Sequence, residues 1–99
     1  MIVNGYRLEP IPANEARKLP EGTVLIVHRV WHDPATYQVT REAYYRVRLK
    51  RKKTVMGLDE AVYSEPDCDF PELPTWLLGW IWLEEIAGVR GFMTIEGRA

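Results

Sequence analysis

The sequence predicts a mainly β domain of the α+β class: a small half-open or closed β-barrel with one short N-terminal helix. Three observations predict this fold. A β-branched apolar run begins at Val24, a long segment with alternating polar and apolar residues follows it, and a short segment between Asn14 and Pro20 carries helix start and stop signals. The 99 residues, 46% of them hydrophobic and 27% charged, fit one globular domain over residues 1–99.

The N-terminal part combines a short strand with this helix. Residues 2–8 are predicted to form a strand that the turn signal Asn4-Gly5 interrupts. Asn14 is a favourable N-cap for one or two helical turns, and Pro20 ends them because it cannot continue a helix.

A β-hairpin in the middle of the chain has the strongest support. Its first strand, residues 24–31, is an almost continuous apolar run, which is typical of a strand buried on both faces. Asp33 and Pro34 are favourable residues for a type I turn. In the second strand, polar and apolar residues alternate with period two, which turns one set of side chains inward. This inward set consists of Tyr37, Val39, Ala43, Tyr45, Val47 and Leu49, and Arg41 is the one charged residue among them.

The residues that follow the hairpin are predicted to be less regular. A short strand is expected around Val55, with a turn at Gly57. Three prolines and four acidic residues then make residues 64–75 a loop.

The apolar run at residues 76–86 fits either a helix or a strand. Gly88 can end a helix, whereas Gly79 in its interior and two acidic residues at the negative end of its dipole oppose one. The tryptophans and isoleucines of the run are good strand formers. We therefore predict a strand over residues 79–86, then a turn and a last strand over residues 89–95.

The middle of the chain resembles an SH3-like barrel. The resemblance covers roughly residues 20–63 and lies in Gly22, Val24, Val27, Tyr44, Tyr45, Arg46, Val47, Gly57 and Tyr63. It implies a fold of that kind and does not imply a function.

Charge is distributed unevenly along the chain. The net charge is -1, but residues 41–53 carry seven basic side chains against Glu42 alone, which gives +6. Residues 54–89 carry eight acidic side chains and no basic one, which gives -8. Local blocks of this size can steer a partner even though the total is close to zero.

The outward face of the second hairpin strand carries the sharpest functional signal, a basic ladder. Its members are Tyr44, Arg46, Arg48, Lys50 and Lys52. Side chains on one face of a strand lie about 7 Å apart, so the row can follow the phosphates of a nucleic acid while Tyr44 stacks on a base. Two other interpretations are a solvated strand protected by its charge and a pairing of the ladder with the acidic block of the same molecule. The pI of about 6.1 counts against nucleic acid, since dedicated nucleic-acid domains are usually basic.

A second hypothesis makes the chain a protein-interaction module or a small regulator, for instance a virus-encoded inhibitor. Recognition would then use the acidic segment, residues 59–72, with Asp67 and Asp69, or a tryptophan face. On a strand, Trp80 and Trp82 would share one face. That face would either fill the core or contact another protein, a second copy of the chain included.

The chain carries no motif for catalysis or for a metal ion. His28 and His32 would lie ~13 Å apart on a strand, which is too far to share one metal ion. The acidic side chains of residues 65–72 fit a solvated loop better than a calcium or magnesium site, because the EF-hand spacing is missing. Since no motif supplies a nucleophile, a base and an orienting group together, we expect a non-enzymatic protein without cofactor or metal.

Cysteine content and hydropathy bear on the location. The single cysteine, Cys68, excludes an internal disulfide and agrees with a reducing, cytoplasmic setting. No stretch reaches the ~18 uncharged apolar residues of a membrane span, so we expect no membrane partner.

Overall fold

Six strands and two short helical segments make up the described part of the chain. The computed structural model describes the backbone of residues 1–54, 57–83 and 88–99, and the side chains of residues 1–51, 61–83 and 88–99. The strands are β1 (Ile2–Val3), β2 (Tyr6–Ile11), β3 (Val24–His32), β4 (Val39–Thr54), β5 (Gly57–Ser64) and β6 (Val89–Arg98). The helical segments are α1 (Ala13–Ala16) and a 3-10 helix (Thr75–Leu77).

All six strands belong to one antiparallel sheet in the order β1-β2-β6-β3-β4-β5. This confirms the prediction of a mainly β chain with one short N-terminal helix. No pairing joins β1 to β5 within the described residues, so the sheet is not closed into a barrel there. The helix α1 is capped by Pro12 instead of Asn14, and the Pro12 carbonyl accepts the N–H groups of Glu15 and Ala16. None of the described helices is long and apolar enough to cross a membrane.

The β3–β4 hairpin has the predicted alternation. Leu25 and Val27 lie opposite Val47 and Tyr45, and all four side chains are buried. The strand β4 begins two residues later than expected, at residue 39. Tyr37 therefore belongs to the turn, where its φ is 59° and its side chain is exposed instead of facing inward. Val39 was also predicted to face inward but is exposed, because a register shift between Trp31 and His32 breaks the alternation before it reaches residue 39.

Asp33 explains why this turn is longer than expected. Its Oδ1 accepts the N–H groups of Thr36 at 3.0 Å and of Ala35 at 2.8 Å, while its own N–H donates to the carbonyl of Gln38. The N–H groups of Thr36 and Ala35 lower the pKa of the Asp33 carboxyl below its ordinary value, because they stabilise the charged form. The carboxylate thus organises residues 33–38 into one compact turn.

Side chains are buried on both faces of the sheet. The larger cluster joins one sheet face to α1 and to the segment after β5, and includes Ala16, Leu25, Val27, Val47, Leu77, Ile81 and Phe92. The smaller cluster lies on the other face and consists of Leu8, Ile26, Phe70 and Met93. The segment after β5 therefore contributes side chains to the core on both faces of the sheet, because Phe70 belongs to one cluster and Leu77 to the other.

Residues 75–83 form helical turns and not the predicted strand. The N–H groups of residues 77, 78, 80 and 83 each donate to the carbonyl three residues earlier. The prediction was wrong because the apolar side chains at positions 77, 78, 81 and 82 have helical spacing, so one side of the segment packs on the core. Gly79 lies on the exposed side.

The remaining predicted elements have mixed outcomes. The last strand is confirmed as β6, which pairs with both β2 and β3. The turn predicted at Gly57 is wrong, because Gly57 is the first residue of β5 and pairs with Thr54. Val55 and residues 84–86 lie outside the described residues.

Candidate functional site

The first two arginines of the basic ladder are bound to acidic residues of the same chain. Arg46 Nη1 lies 2.6 Å from Asp67 Oδ2, and Arg48 Nη2 lies 2.5 Å from Glu65 Oε1. Arg48 also donates Nε–H to the same carboxylate oxygen and Nη1–H to the Gly22 carbonyl. The hydrogen bond to Glu65 raises the pKa of Arg48. A phosphate that contacted these two guanidinium groups would compete with carboxylates already in place.

The other members of the ladder have different surroundings. The Tyr44 ring is half-buried and stacks on the His28 ring at a centroid distance of 4.4 Å. Lys50 Nζ lies 4.4 Å from the centre of the Tyr63 ring, at cation–π distance. The side chain of Lys52 lies outside the described residues. The ladder is thus a row of paired side chains over the part of it that the structure describes.

The acidic residues predicted to bind a partner hold a loop against the sheet. The carboxylate of Asp67 accepts the N–H groups of Asp69 and Phe70, and it binds Arg46 as well. The Asp69 N–H is the main cause that lowers the pKa of Asp67. Asp69 in turn accepts the Tyr6 hydroxyl at 2.9 Å, which raises the pKa of Tyr6. These bonds position Phe70 in the smaller core cluster.

The same loop brings potential metal ligands together. One ligand atom from each of Asp67, Cys68 and Asp69 lies within 4.8 Å of the others. Both carboxylates already accept hydrogen bonds from the groups just described. Their arrangement is therefore explained by the anchoring of the loop.

Trp80 and Trp82 do not share a face, contrary to the prediction. The Trp82 ring stacks on Phe92 at a centroid distance of 4.9 Å, and the Arg17 guanidinium lies 5.1 Å from its centre. Arg17 also donates a hydrogen bond to the Trp82 carbonyl. Trp80, two residues earlier on the helical turns, is 46% exposed. The predicted pair therefore divides into a core residue and a surface residue.

A second group of aromatic and basic side chains surrounds the exposed side of residues 75–83. Trp76 is 55% exposed, and Leu83 is 46% exposed. Because residues three and four apart on helical turns are neighbours, Trp76, Trp80 and Leu83 lie on one side of the segment, opposite the buried residues 77 and 81. All three of these apolar side chains are exposed to solvent on that side.

Two arginines extend this surface across the sheet. The Arg29 guanidinium carbon lies 4.3 Å from the centre of the Trp31 ring and 4.9 Å from that of Trp76. Arg41 lies 4.5 Å from the Trp31 ring on its neighbouring strand. We call the group of Arg29, Trp31, Arg41, Trp76, Trp80 and Leu83 the tryptophan–arginine patch.

The patch was visible in the sequence only in part. Arg41 interrupts an otherwise apolar set of inward-facing residues, and Arg29 interrupts the apolar run of β3. On one face of a sheet such exceptions at neighbouring positions indicate a charged surface next to the core. The contribution of Trp76 depends on the helical turns, which the strand prediction did not include.

The two histidines have separate partners. His28 is buried, and its Nε2 lies 3.2 Å from Oε1 of Glu42. His32 is exposed, and its Nδ1 lies 3.2 Å from the carbonyl oxygen of Tyr37. These partners account for the two histidines without a shared metal ion.

Comparison with known proteins adds no relative. No protein-family model matches the chain, and neither a curated protein nor a solved structure matches it.

Proposed function

We propose that the chain is a non-enzymatic binding module that recognises a protein partner through the tryptophan–arginine patch. The observation that carries the proposal is the exposure of Trp76 and Trp80, at 55% and 46%, while their neighbours Leu77 and Ile81 are buried. Contiguous exposed apolar side chains usually mark contact sites. Tryptophan and arginine are also the residues most often found among the strongest contributors to protein interfaces.

The exposed tryptophan surface is large enough to contribute to affinity. A tryptophan side chain buries up to about 250 Å², so two half-exposed rings leave roughly 200 Å² for a partner. Burial of that area stabilises a complex by about 5 kcal/mol before the entropy of association is subtracted. Arg29, held between Trp31 and Trp76, keeps these rings in a fixed arrangement.

The charges of the patch define the partner further. Arg41 lies at its rim next to Trp31, so we expect the partner to place an apolar side chain on Trp76 and Trp80 and a carboxylate near Arg41. A regulator or inhibitor that acts by covering a partner's surface is one form of this proposal, and a homodimer of the chain is another. The SH3-like arrangement of residues 20–63 and the cytoplasmic location remain predictions.

Nucleic-acid binding through the basic ladder is the alternative function. It requires that phosphates replace Asp67 on Arg46 and Glu65 on Arg48, because these carboxylates occupy the guanidinium groups. The pairing of Arg46 and Arg48 also reduces the attraction that the basic block can exert on a polyanion, and the net charge of -1 adds none. We therefore favour the protein partner.

The test compares three forms of the chain on a solid support. The native chain, a Trp76→Ser/Trp80→Ser variant and a Tyr37→Ser control are each incubated with lysate of the source cells, with and without nuclease. Tyr37 is 81% exposed and lies outside the patch, so its variant controls for the loss of an exposed aromatic residue. We expect a protein that is retained by the native chain and the control and is lost from the double variant.

Two results would contradict the proposal. Retention of the same protein by the double variant would exclude the patch as its binding site. Loss of retention after nuclease treatment would instead favour the basic ladder and a nucleic-acid partner.

A further inference from the structure

A pocket of about 400 Å³ lies between β2, β3 and β6, next to the start of α1. Its apolar lining with exposed surface comes from Pro10, Ile11, Pro12 and Ala13. Phe92 and Met93 also border it, but they are only 1% and 5% exposed and belong to the core clusters of opposite sheet faces. Two basic side chains, His28 and Arg90, also line it. Pockets that hold small molecules commonly have volumes of roughly 300–1,000 Å³ and combine apolar walls with a few polar groups.

His28 is held rigidly at this pocket. Its side chain is only 10% exposed. The ring stacks on Tyr44 with an interplanar angle of 2°, and its Nε2 lies 3.2 Å from a carboxylate oxygen of Glu42. No described residue forms a hydrogen bond with its Nδ1. With Nε2–H donated to Glu42, the orientation of the imidazole is fixed, and Nδ1 is left for another partner.

A β-bulge brings Arg90 to the same pocket. His28 is paired with Gly91, but the next residue of β3, Arg29, is paired with Val89, so Arg90 is the extra residue of the bulge. On a regular strand Arg90 and Gly91 would point to opposite faces of the sheet. The bulge removes that constraint, and bulges of this kind commonly redirect a side chain towards a functional site.

Gly91 provides the space opposite His28. A Cβ atom at this position would have no heavy atom within 4 Å, so a side chain here would extend into open space. Gly91 itself lines the pocket. The absence of a side chain thus keeps the volume between His28 and Arg90 open.

We infer that this pocket binds a small carboxylic acid with an apolar body. The planar guanidinium of Arg90 fits a carboxylate, because its N–H groups can donate to both carboxylate oxygens at once. The apolar walls would enclose an aromatic or branched aliphatic body. Glu42, whose side chain is half-exposed beside His28, disfavours a dianion such as phosphate and so favours a single negative charge. This site is separate from the tryptophan–arginine patch.

The test uses phenylacetate as the probe and follows the backbone amide signals of the intact chain by NMR. Phenylacetamide, which has the same shape without the charge, and inorganic phosphate are titrated in parallel. We expect saturable shifts at the amides of His28, Gly91 and Phe92 with phenylacetate, with a Kd on the order of 1 mM for a ligand of this size. Phenylacetamide and phosphate are expected to bind at least about tenfold more weakly, because each lacks part of the recognised chemistry.

Three variants locate the site. Arg90→Gln removes the cation and should weaken phenylacetate binding by about tenfold or more. Gly91→Leu should abolish binding by filling the pocket, and its dispersed NMR spectrum would show that the fold is kept. Arg7→Gln removes an exposed arginine elsewhere on the sheet and should leave binding unchanged.

Three results would overturn the inference. These are the absence of saturable shifts with phenylacetate, equal binding of phenylacetamide, and unchanged binding in both Arg90→Gln and Gly91→Leu. The second of them would mean that the pocket selects apolar bodies without reading the carboxylate.

Discussion

Replacement of Trp82 by Ala should destabilise the protein much more than replacement of Trp80 by Ala. Trp82 stacks on Phe92 and packs against the larger core cluster, whereas Trp80 is 46% exposed. Truncation of a buried tryptophan costs about 3–5 kcal/mol, and the partial burial of Trp82 places its loss near the lower end, about 3 kcal/mol. Surface substitutions usually change stability by less than about 0.5 kcal/mol, so we expect less than about 1 kcal/mol for Trp80→Ala.

Thermal melts followed by circular dichroism measure this difference. A domain of this size loses about 4–8 °C of Tm per kcal/mol, so Trp82→Ala should lower Tm by about 12–24 °C and Trp80→Ala by only a few degrees. Trp82→Phe serves as the matched control, because it keeps an aromatic ring against Phe92 and removes a buried indole N–H for which no described residue is a partner. We expect that control to stay close to the native Tm. Equal losses for the two alanine variants would refute the helical turns, since only a strand places both rings on one face.

Three further predictions concern the sheet and its loop. Val47→Asp buries an unpaired carboxylate and should lower the free energy of unfolding, measured in urea, by several kcal/mol. Val39→Asp, at an exposed position of the same strand, should lower it little. Equal losses would show that the strand register is wrong. The pKa of Asp67 is lowered in the folded state, so the contribution of its carboxylate to stability is present above about pH 4 and is lost as pH falls through the folded-state pKa. Asp67→Asn should therefore flatten the decline of the free energy of unfolding in acid. An unchanged slope would contradict this. Arg46→Gln should speed hydrogen exchange at the Phe70 amide, and the increase should be larger at low salt than at high salt. An equal effect of the substitution at both salt concentrations would show that the ion pair does not hold the loop.

The hairpin could be predicted because its signal is local. From Arg41 to Leu49 each residue's face follows from that of its neighbours, and the observed register places Val47 and Leu25 together as alternation requires. The turn residues differ because the Asp33 carboxylate binds backbone groups up to three residues away, which extends the turn through Tyr37. A pattern of hydrophobicity does not record such hydrogen bonds.

The functional surfaces depend on contacts between distant residues. Arg46 and Asp67 are 21 residues apart in the sequence. The sequence therefore allowed two interpretations of the basic ladder, nucleic-acid binding and pairing with the acidic block, and did not decide between them. The redirection of Arg90 depends on the register between β3 and β6, which is set by pairing across the sheet. In residues 75–83 the local penalty for Gly79 was outweighed by burial of Leu77 and Ile81, a tertiary effect that exceeds intrinsic propensity.

Site-specific photocrosslinking from position 80 tests the proposed protein-binding patch most directly. A photoreactive phenylalanine analogue replaces Trp80 in one form of the chain and Tyr37 in another, and both are irradiated in lysate of the source cells. Because both positions are exposed, the two forms differ only in whether the probe lies within the tryptophan–arginine patch. We expect a discrete protein adduct, or a crosslinked dimer of the chain, from position 80 and not from position 37. No adduct from position 80, or the same adducts from both positions, would contradict it.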